Sequence, residues 1–179
     1  MNSLAQEEFL LREMHMHYGR AIIMSQNFEK LLASLLRGML AKEHVHKTPY
    51  KDFVKMADKL NDKAPLGELL KEVKARLSAD EIPEELFEKV RYLRNHLIHN
   101  YFFENASKET VVDGKLSIIN ELIGFQQIFV EAAEWADKMN KKFLYEIGMT
   151  DEKLAVKAEE LRQTEVAKFR AGLPLDKLG

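Results

Sequence analysis

The residues of this 179-residue chain that are best suited to chemistry lie in one segment, RNHLIHNYFF, at positions 94–103. His96 and His99 carry imidazoles that titrate near neutral pH, so either can act as a general base or a general acid. Arg94 stays charged and can grip phosphate oxygens through a fork of donors. The amide of Asn95 could orient a histidine or donate to the same phosphate. This combination is suited to cleaving RNA without a metal.

Such a cleavage reaction places geometric demands on the segment. A base must deprotonate the 2′-hydroxyl, an acid must protonate the 5′-oxygen, and positive charge must stabilise the phosphorane. Arg94 and His99 are five positions apart, about 140° around an ideal helix, so an intact helix keeps their heads apart. Cooperation needs a bend, or a second copy of the helix across an interface. The structural alternative is that Arg94 pairs with a glutamate and His99 caps the helix end.

Composition limits the classes of protein to consider. The chain is 46% hydrophobic and 31% charged, which is typical of a globular domain. It has no cysteine, which excludes disulfides, a thiolate nucleophile and cysteine-bound metal, and fits a reducing cytoplasm. The net charge of −2 offers nucleic acid no global attraction. With neither a run of about 18 apolar residues nor a signal-peptide layout, we expect a cytoplasmic protein.

The sequence also lacks the usual cofactor motifs. There is no GxxxxGKS/T loop, no GxGxxG, no GxSxG and no HExxH. The histidines at 15 and 17, like those at 44 and 46, are two apart, so each pair diverges around a helix. His96 and His99 could share a face, but no carboxylate on that helix obviously joins them. We therefore expect neither a metal nor another cofactor.

Hydrophobic spacing predicts an all-α bundle. Apolar residues recur at helical intervals over residues 4–41 and 116–143, which predicts two long helices, with Gly19 as a place where the first could bend. Pro65 and Pro83 are each placed to open a helix, where a missing N–H costs nothing. The helix after Pro83 carries an apolar stripe at Leu86, Val90, Leu93 and Leu97.

The remaining segments are shorter. A short helix is expected around Phe53, and the polar residues 104–115 predict a loop with a small hairpin turn at Asp113-Gly114. A weakly amphipathic helix and a tail close the sequence. We interpret residues 1–148 as one helical domain of four to five core helices, and residues 149–179 as a C-terminal helix and tail.

RNHLIHNY resembles the signature of HEPN domains, an all-α superfamily. That signature is an arginine, four to six residues beginning with a polar one, and then a histidine, near the end of a core helix. Arg94, Asn95 and His99 match it. His99-Asn100-Tyr101 also matches the His-x-Tyr ending of toxins from HEPN–nucleotidyltransferase pairs.

Helix order extends this resemblance to roughly residues 15–143. The upstream YGRAIIMSQNFEKLLASLL is similar to the family's first core helix, with Glu29 at its acidic position. The resemblance implies a metal-independent endoribonuclease of toxin or defence type that cleaves RNA such as tRNA or mRNA. It implies a homodimer whose motif helices face each other, with Arg94 beside His99 of the second copy. Asn95 would act with them, and Glu29 and His96 would support the site.

Alternatives stay open for the function and for one residue. Some superfamily members have lost catalysis and serve as modules for protein interaction or regulation. Tyr101 either packs with Phe102 and Phe103 at the end of the bundle, or presents its hydroxyl at the cleft mouth. In the second case the resemblance implies that a partner nucleotidyltransferase, acting as the antitoxin, attaches a nucleotide monophosphate there.

A lysine repeat could add a contact to RNA. Lys51, Lys55 and Lys59 recur every four residues, which puts them along one side of the expected short helix. They are candidates for tracking RNA phosphates. The alternative is an ordinary solvated face with aspartates beside it.

Overall fold

The structure is a computed structural model that describes residues 3–44 and 64–170. These residues contain no strand, which confirms the all-α fold class. Two short 3-10 helices cover Ala79–Glu81 and Lys108–Thr110. The α-helices of the described ranges are α1 (Ser3–His44), α2 (Leu66–Lys74), α3 (Glu84–His99), α4 (Tyr101–Asn105), α5 (Val112–Glu146) and α6 (Asp151–Arg170).

The bundle is built around its two long helices. α1 and α5 pack against each other more extensively than any other pair of described elements, and α1 continues unbroken past Gly19. Each buries an apolar stripe, and full burial of one large apolar side chain stabilises the fold by about 1.5–3 kcal/mol. The stripes include Phe28, Leu32, Leu35 and Leu36 of α1 and Leu122, Phe129, Ala132 and Ala136 of α5.

The two prolines open helices as the sequence predicts. Pro65 precedes α2 and Pro83 precedes α3. Glu84 and Glu85 lie in the first turn of α3, where carboxylates favour the positive end of the helix dipole. The predicted stripe of α3 is buried together with Phe87, and this burial decides which side of α3 faces outward.

The region after α3 is more helical than the sequence predicts. The loop expected over residues 104–115 is wrong, because a 3-10 helix follows α4 and α5 already begins at Val112. The hairpin turn is wrong too, since Asp113 lies in the first turn of α5. A Cβ on Gly114 would lie 2.0 Å from the carbonyl oxygen of Lys108. This glycine therefore permits a close approach of backbone rather than a turn.

The C-terminal part of the chain is a separate, largely exposed helix. Gly148 ends the α5 region with a φ of +81°, and α6 begins at Asp151, as predicted. Most of the described side chains of α6 are exposed. The domain boundary after residue 148 stays a prediction. The expected helix around Phe53 and the tail after residue 170 lie outside the described residues. Among the helices that are described, none combines the length and apolarity that a membrane crossing requires.

Candidate functional site

The motif residues lie on different sides of α3. Arg94 and His96 are half-buried at opposite flanks of the buried stripe, whereas Asn95 and His99 are exposed. Asn95 and His99 are four positions apart, so they share the outward side of the helix. Two exposed apolar residues, Tyr92 and Ile98, lie beside them. We call the surface formed by Tyr92, Asn95, Ile98 and His99 the outer face of α3.

Arg94 is held from the neighbouring helix by Glu29. The Nε of Arg94 donates to Oε1 of Glu29 over 2.9 Å, and their side chains are 27% and 22% exposed. The structural alternative gave Arg94 an unspecified glutamate as partner, and the resemblance gave Glu29 a supporting position; the structure brings these two residues together. Because the bond uses Nε, the terminal nitrogens of the guanidinium are left to other partners. One of them, Nη1, is 3.5 Å from Oδ1 of Asn95, at the limit of a hydrogen bond.

His99 ends α3 with its side chain in solvent. It makes no hydrogen bond or ion pair with the described part of the chain, so it does not cap the helix. The cap residue is Asn100, whose backbone N–H donates to the carbonyl of His96 and whose φ of −125° breaks the helix. The break therefore follows His99 and does not fall between Arg94 and His99. Within one described chain these two side chains point in different directions.

His96 lies in an aromatic cluster on the flank away from Arg94. Its ring stacks on Tyr92 at 5.7 Å with a 10° interplanar angle, and the edges of Tyr101 and Phe125 meet it at 5.5 and 6.4 Å. Its Nδ1 is 3.7 Å from a carboxylate oxygen of Glu104. This placement fits a supporting residue, since the ring of His96 packs against Tyr92, which belongs to the outer face.

Tyr101 is packed into the bundle. It is 1% exposed, and its hydroxyl donates to Oε2 of Glu121 over 3.0 Å. Burial, and then the carboxylate of Glu121, raise the pKa of Tyr101 above its ordinary value. The hydroxyl is buried in this chain, so the placement of Tyr101 matches the packing alternative rather than the accessible acceptor. Packing at the bundle's end describes Tyr101 but not Phe103, which is 87% exposed.

Tyr18 is a structural member of the site that the sequence interpretation missed. Its hydroxyl donates to the carbonyl oxygen of Leu97 over 2.7 Å, and its ring lies 4.3 Å from that of Phe102. Tyr18 precedes Glu29 by 11 positions, three turns of helix, so both residues face α3 from the same side of α1. This spacing is the feature of the sequence that could have identified Tyr18 as a residue facing α3. Together they anchor α3 near both ends of its motif.

Two further sequence predictions concern metal ligands and the lysines that could contact RNA. Within residues 3–44 and 64–170, no three His, Asp or Glu side chains are grouped so that they could hold a metal ion. The candidate RNA contacts Lys51, Lys55 and Lys59 lie outside the described residues.

Comparison with known proteins adds no relative to this picture. No protein-family model, curated protein or solved structure matches the chain. The resemblance to HEPN domains stays a prediction that rests on the residues quoted above. What stands independently of it is an all-α bundle with a paired arginine and an unengaged histidine on one helix.

Proposed function

We propose that this protein is a HEPN-type, metal-independent endoribonuclease of the toxin or defence class, acting in the cytoplasm as a homodimer. One observation carries the proposal. Glu29 holds Arg94 through Nε alone, while Asn95 and His99 on the same helix stay exposed. A structural ion pair would explain why Glu29 holds Arg94. A bound phosphate and a scissile ribose would explain both that bond and the exposure of Asn95 and His99.

The proposed chemistry uses side chains alone. Unprotonated His99 takes the proton of the 2′-hydroxyl as the 2′-oxygen attacks the phosphorus. The bond from phosphorus to the 5′-oxygen breaks, and the leaving oxygen takes a proton from water. Arg94 stabilises the added negative charge of the phosphorane, and Asn95 orients the histidine beside it. The products are a 2′,3′-cyclic phosphate and a 5′-hydroxyl.

The dimer is proposed because one chain cannot assemble this site. α3 is regular from Glu84 to His99, so no bend brings Arg94 to His99. A twofold interface places like surfaces together, and it would set Arg94 of each copy beside His99 of the other. The exposed apolar side chains near the motif, Tyr92, Ile98 and Phe103, would be covered in such a pair.

The test is cleavage of total tRNA by pure protein in EDTA, with the ends of the products identified. Arg94→Ala and His99→Ala should each abolish cleavage and change the free energy of unfolding by no more than about 1–2 kcal/mol. Matched controls are Arg162→Ala, which removes an exposed arginine of α6, and His15→Ala, which removes an exposed histidine that contacts Phe102 but none of the proposed catalytic side chains. An intact wild-type protein that leaves the tRNA uncut would instead support the non-catalytic interaction module.

A further inference from the structure

A small cavity borders Glu29 between α1 and the start of α2. Gln26, Glu29 and Lys30 of α1 line it, together with Ala64 and Leu69 at the start of α2. Glu29 therefore takes part in two features, the cavity and the bond to Arg94. Whatever occupies the cavity contacts the side chain that positions the proposed phosphate-binding arginine.

The size of the cavity limits its occupant. Its volume is about 180 Å³. Sites for drug-sized ligands start at roughly 300 Å³, and a water molecule takes about 30 Å³. The cavity therefore suits a single planar heterocycle and is too small for a whole nucleotide or an organic cofactor.

The lining selects among heterocycles. Half-buried Ala64 offers an aliphatic surface to a ring, and the buried Leu69 closes the wall of the cavity behind it. Gln26 and Lys30 are exposed and make no hydrogen bond or ion pair with the described residues, so their donors are free for a ligand. An apolar ligand would leave these donors unpaired, and a bare phosphate would meet the carboxylate of Glu29. Amide and ammonium donors match the acceptor N7 that every purine presents, and also O6 where the purine is guanine.

We propose that this cavity binds the purine base of a nucleotide flanking the scissile phosphate, an inference that rests on the proposed ribonuclease function. Docking the base against Glu29 would fix the carboxylate that holds Arg94, which couples recognition of the base to placement of the phosphate. Binding energy from the base would then be realised at the reacting centre, as an increase in kcat/KM.

The experiment uses short synthetic RNAs built around a site that the wild-type protein cuts in total tRNA. Each base flanking the cut is varied among the four bases and an abasic residue. The wild type should prefer a purine at one flanking position, and Gln26→Ala and Lys30→Ala should each reduce that preference roughly tenfold. Gln127→Ala removes an exposed glutamine of α5, outside the cavity, and should change nothing.

The abasic substrate separates base recognition from a general loss of RNA affinity. Removing the purine should lower kcat/KM by more than Gln26→Ala does, because it removes the partner of both Gln26 and Lys30, and Gln26→Ala should have no further effect on the abasic RNA. If the abasic residue and Gln26→Ala instead lower kcat/KM by independent factors that multiply, the proposal is overturned while the ribonuclease function stands. A wild type with no purine preference would have the same consequence. Absence of any cleavage by the wild type would overturn both. Thermal unfolding of each variant identifies any that fail to fold.

Discussion

In the first half of segment 94–103, the polar groups of Arg94, Asn95 and His99 lie at or near the surface of α3. In the second half, Tyr101 is buried in the bundle, where it contacts Tyr18 of α1 and Phe125 of α5. The backbone break at Asn100 separates the halves. Tyr101 follows the buried Leu97 by four positions, so it lies on the buried side of the segment and not on the outer face. Residues that are adjacent in one motif thus have opposite surroundings.

This contrast separates chemistry from architecture within ten residues. A general base needs access to its substrate, and His99 has that access. A buried phenol that donates to a carboxylate is a packing and hydrogen-bonding element, and Tyr101 has those contacts. The first half is thus the place to look for catalysis, and the second half for stability.

The largest expected effect concerns the first half. Arg94→Ala and His99→Ala should each lower the rate of cleavage by roughly a thousandfold or more, since acid–base and charge stabilisation each contribute on that scale. When the two inactive variants are mixed and allowed to exchange subunits, each mixed dimer should regain one intact Arg94–His99 pair. Activity should therefore return to about a quarter of the wild-type rate by random pairing.

The mixing result distinguishes two geometries. A site assembled within one chain would leave the mixture as inactive as either variant, because no subunit carries both residues. Light scattering at micromolar concentration provides the independent check that the protein is dimeric.

The second prediction concerns the buried half. Tyr101→Ala should reduce the free energy of unfolding by about 3–5 kcal/mol, because it leaves a large cavity in the core. Tyr101→Phe keeps the ring and should cost about 1 kcal/mol for the lost bond to Glu121, with cleavage retained. Urea unfolding and the tRNA assay measure both. A nucleotide adduct on Tyr101 of the folded protein, seen by mass spectrometry after co-expression with neighbouring genes, would contradict this packing.

Local signals explain which parts of the fold could be predicted. Pro83 and the stripe that follows it define the start and buried side of α3, because both depend on neighbours within the same helix. The loop prediction after α4 fails because the helix there depends on a close backbone fit between residues six positions apart. Gly114 admits the backbone of Lys108, and nothing within three or four residues announces that contact.

The candidate site divides in the same way. The pairing of Glu29 with Arg94 was predictable from helix order in the resemblance, since each residue has a defined place on its own helix. Packing of Tyr101 was one of two alternatives in the sequence, but its partners Glu121 and Phe125 were not predictable, because they belong to a helix whose register against α4 is decided by packing.

The third prediction probes the support of the first half. Glu29→Ala frees Arg94 from its acceptor and should lower kcat/KM by about tenfold to a hundredfold, because misplacing a catalytic group by about 1 Å costs on that scale. Glu29→Gln retains an oxygen that can accept from Nε and should recover most of the activity. If both variants match the wild type, Glu29 does not position Arg94. The exposed Glu134→Ala on α5 is the control.

The smallest effect is a pH dependence of stability that belongs to the buried half. Burial and Glu121 raise the pKa of Tyr101 above the value near 10 that an exposed tyrosine has. The folded protein thus keeps the phenolic proton at a pH where the unfolded chain releases it. The resulting stabilisation is complete below about pH 10 and is lost progressively as the pH rises above that value.

Comparison with Tyr101→Phe isolates this contribution. Tyr18 and Tyr145 also have raised pKa values, but both stay in the variant, so their contributions cancel in the difference. Urea unfolding at pH 8 and pH 11 should show the wild type losing more stability than Tyr101→Phe. Equal losses would mean that the hydroxyl of Tyr101 is as accessible as that of an exposed tyrosine. The second half of the segment would then be open to solvent, and the contrast between the halves would disappear.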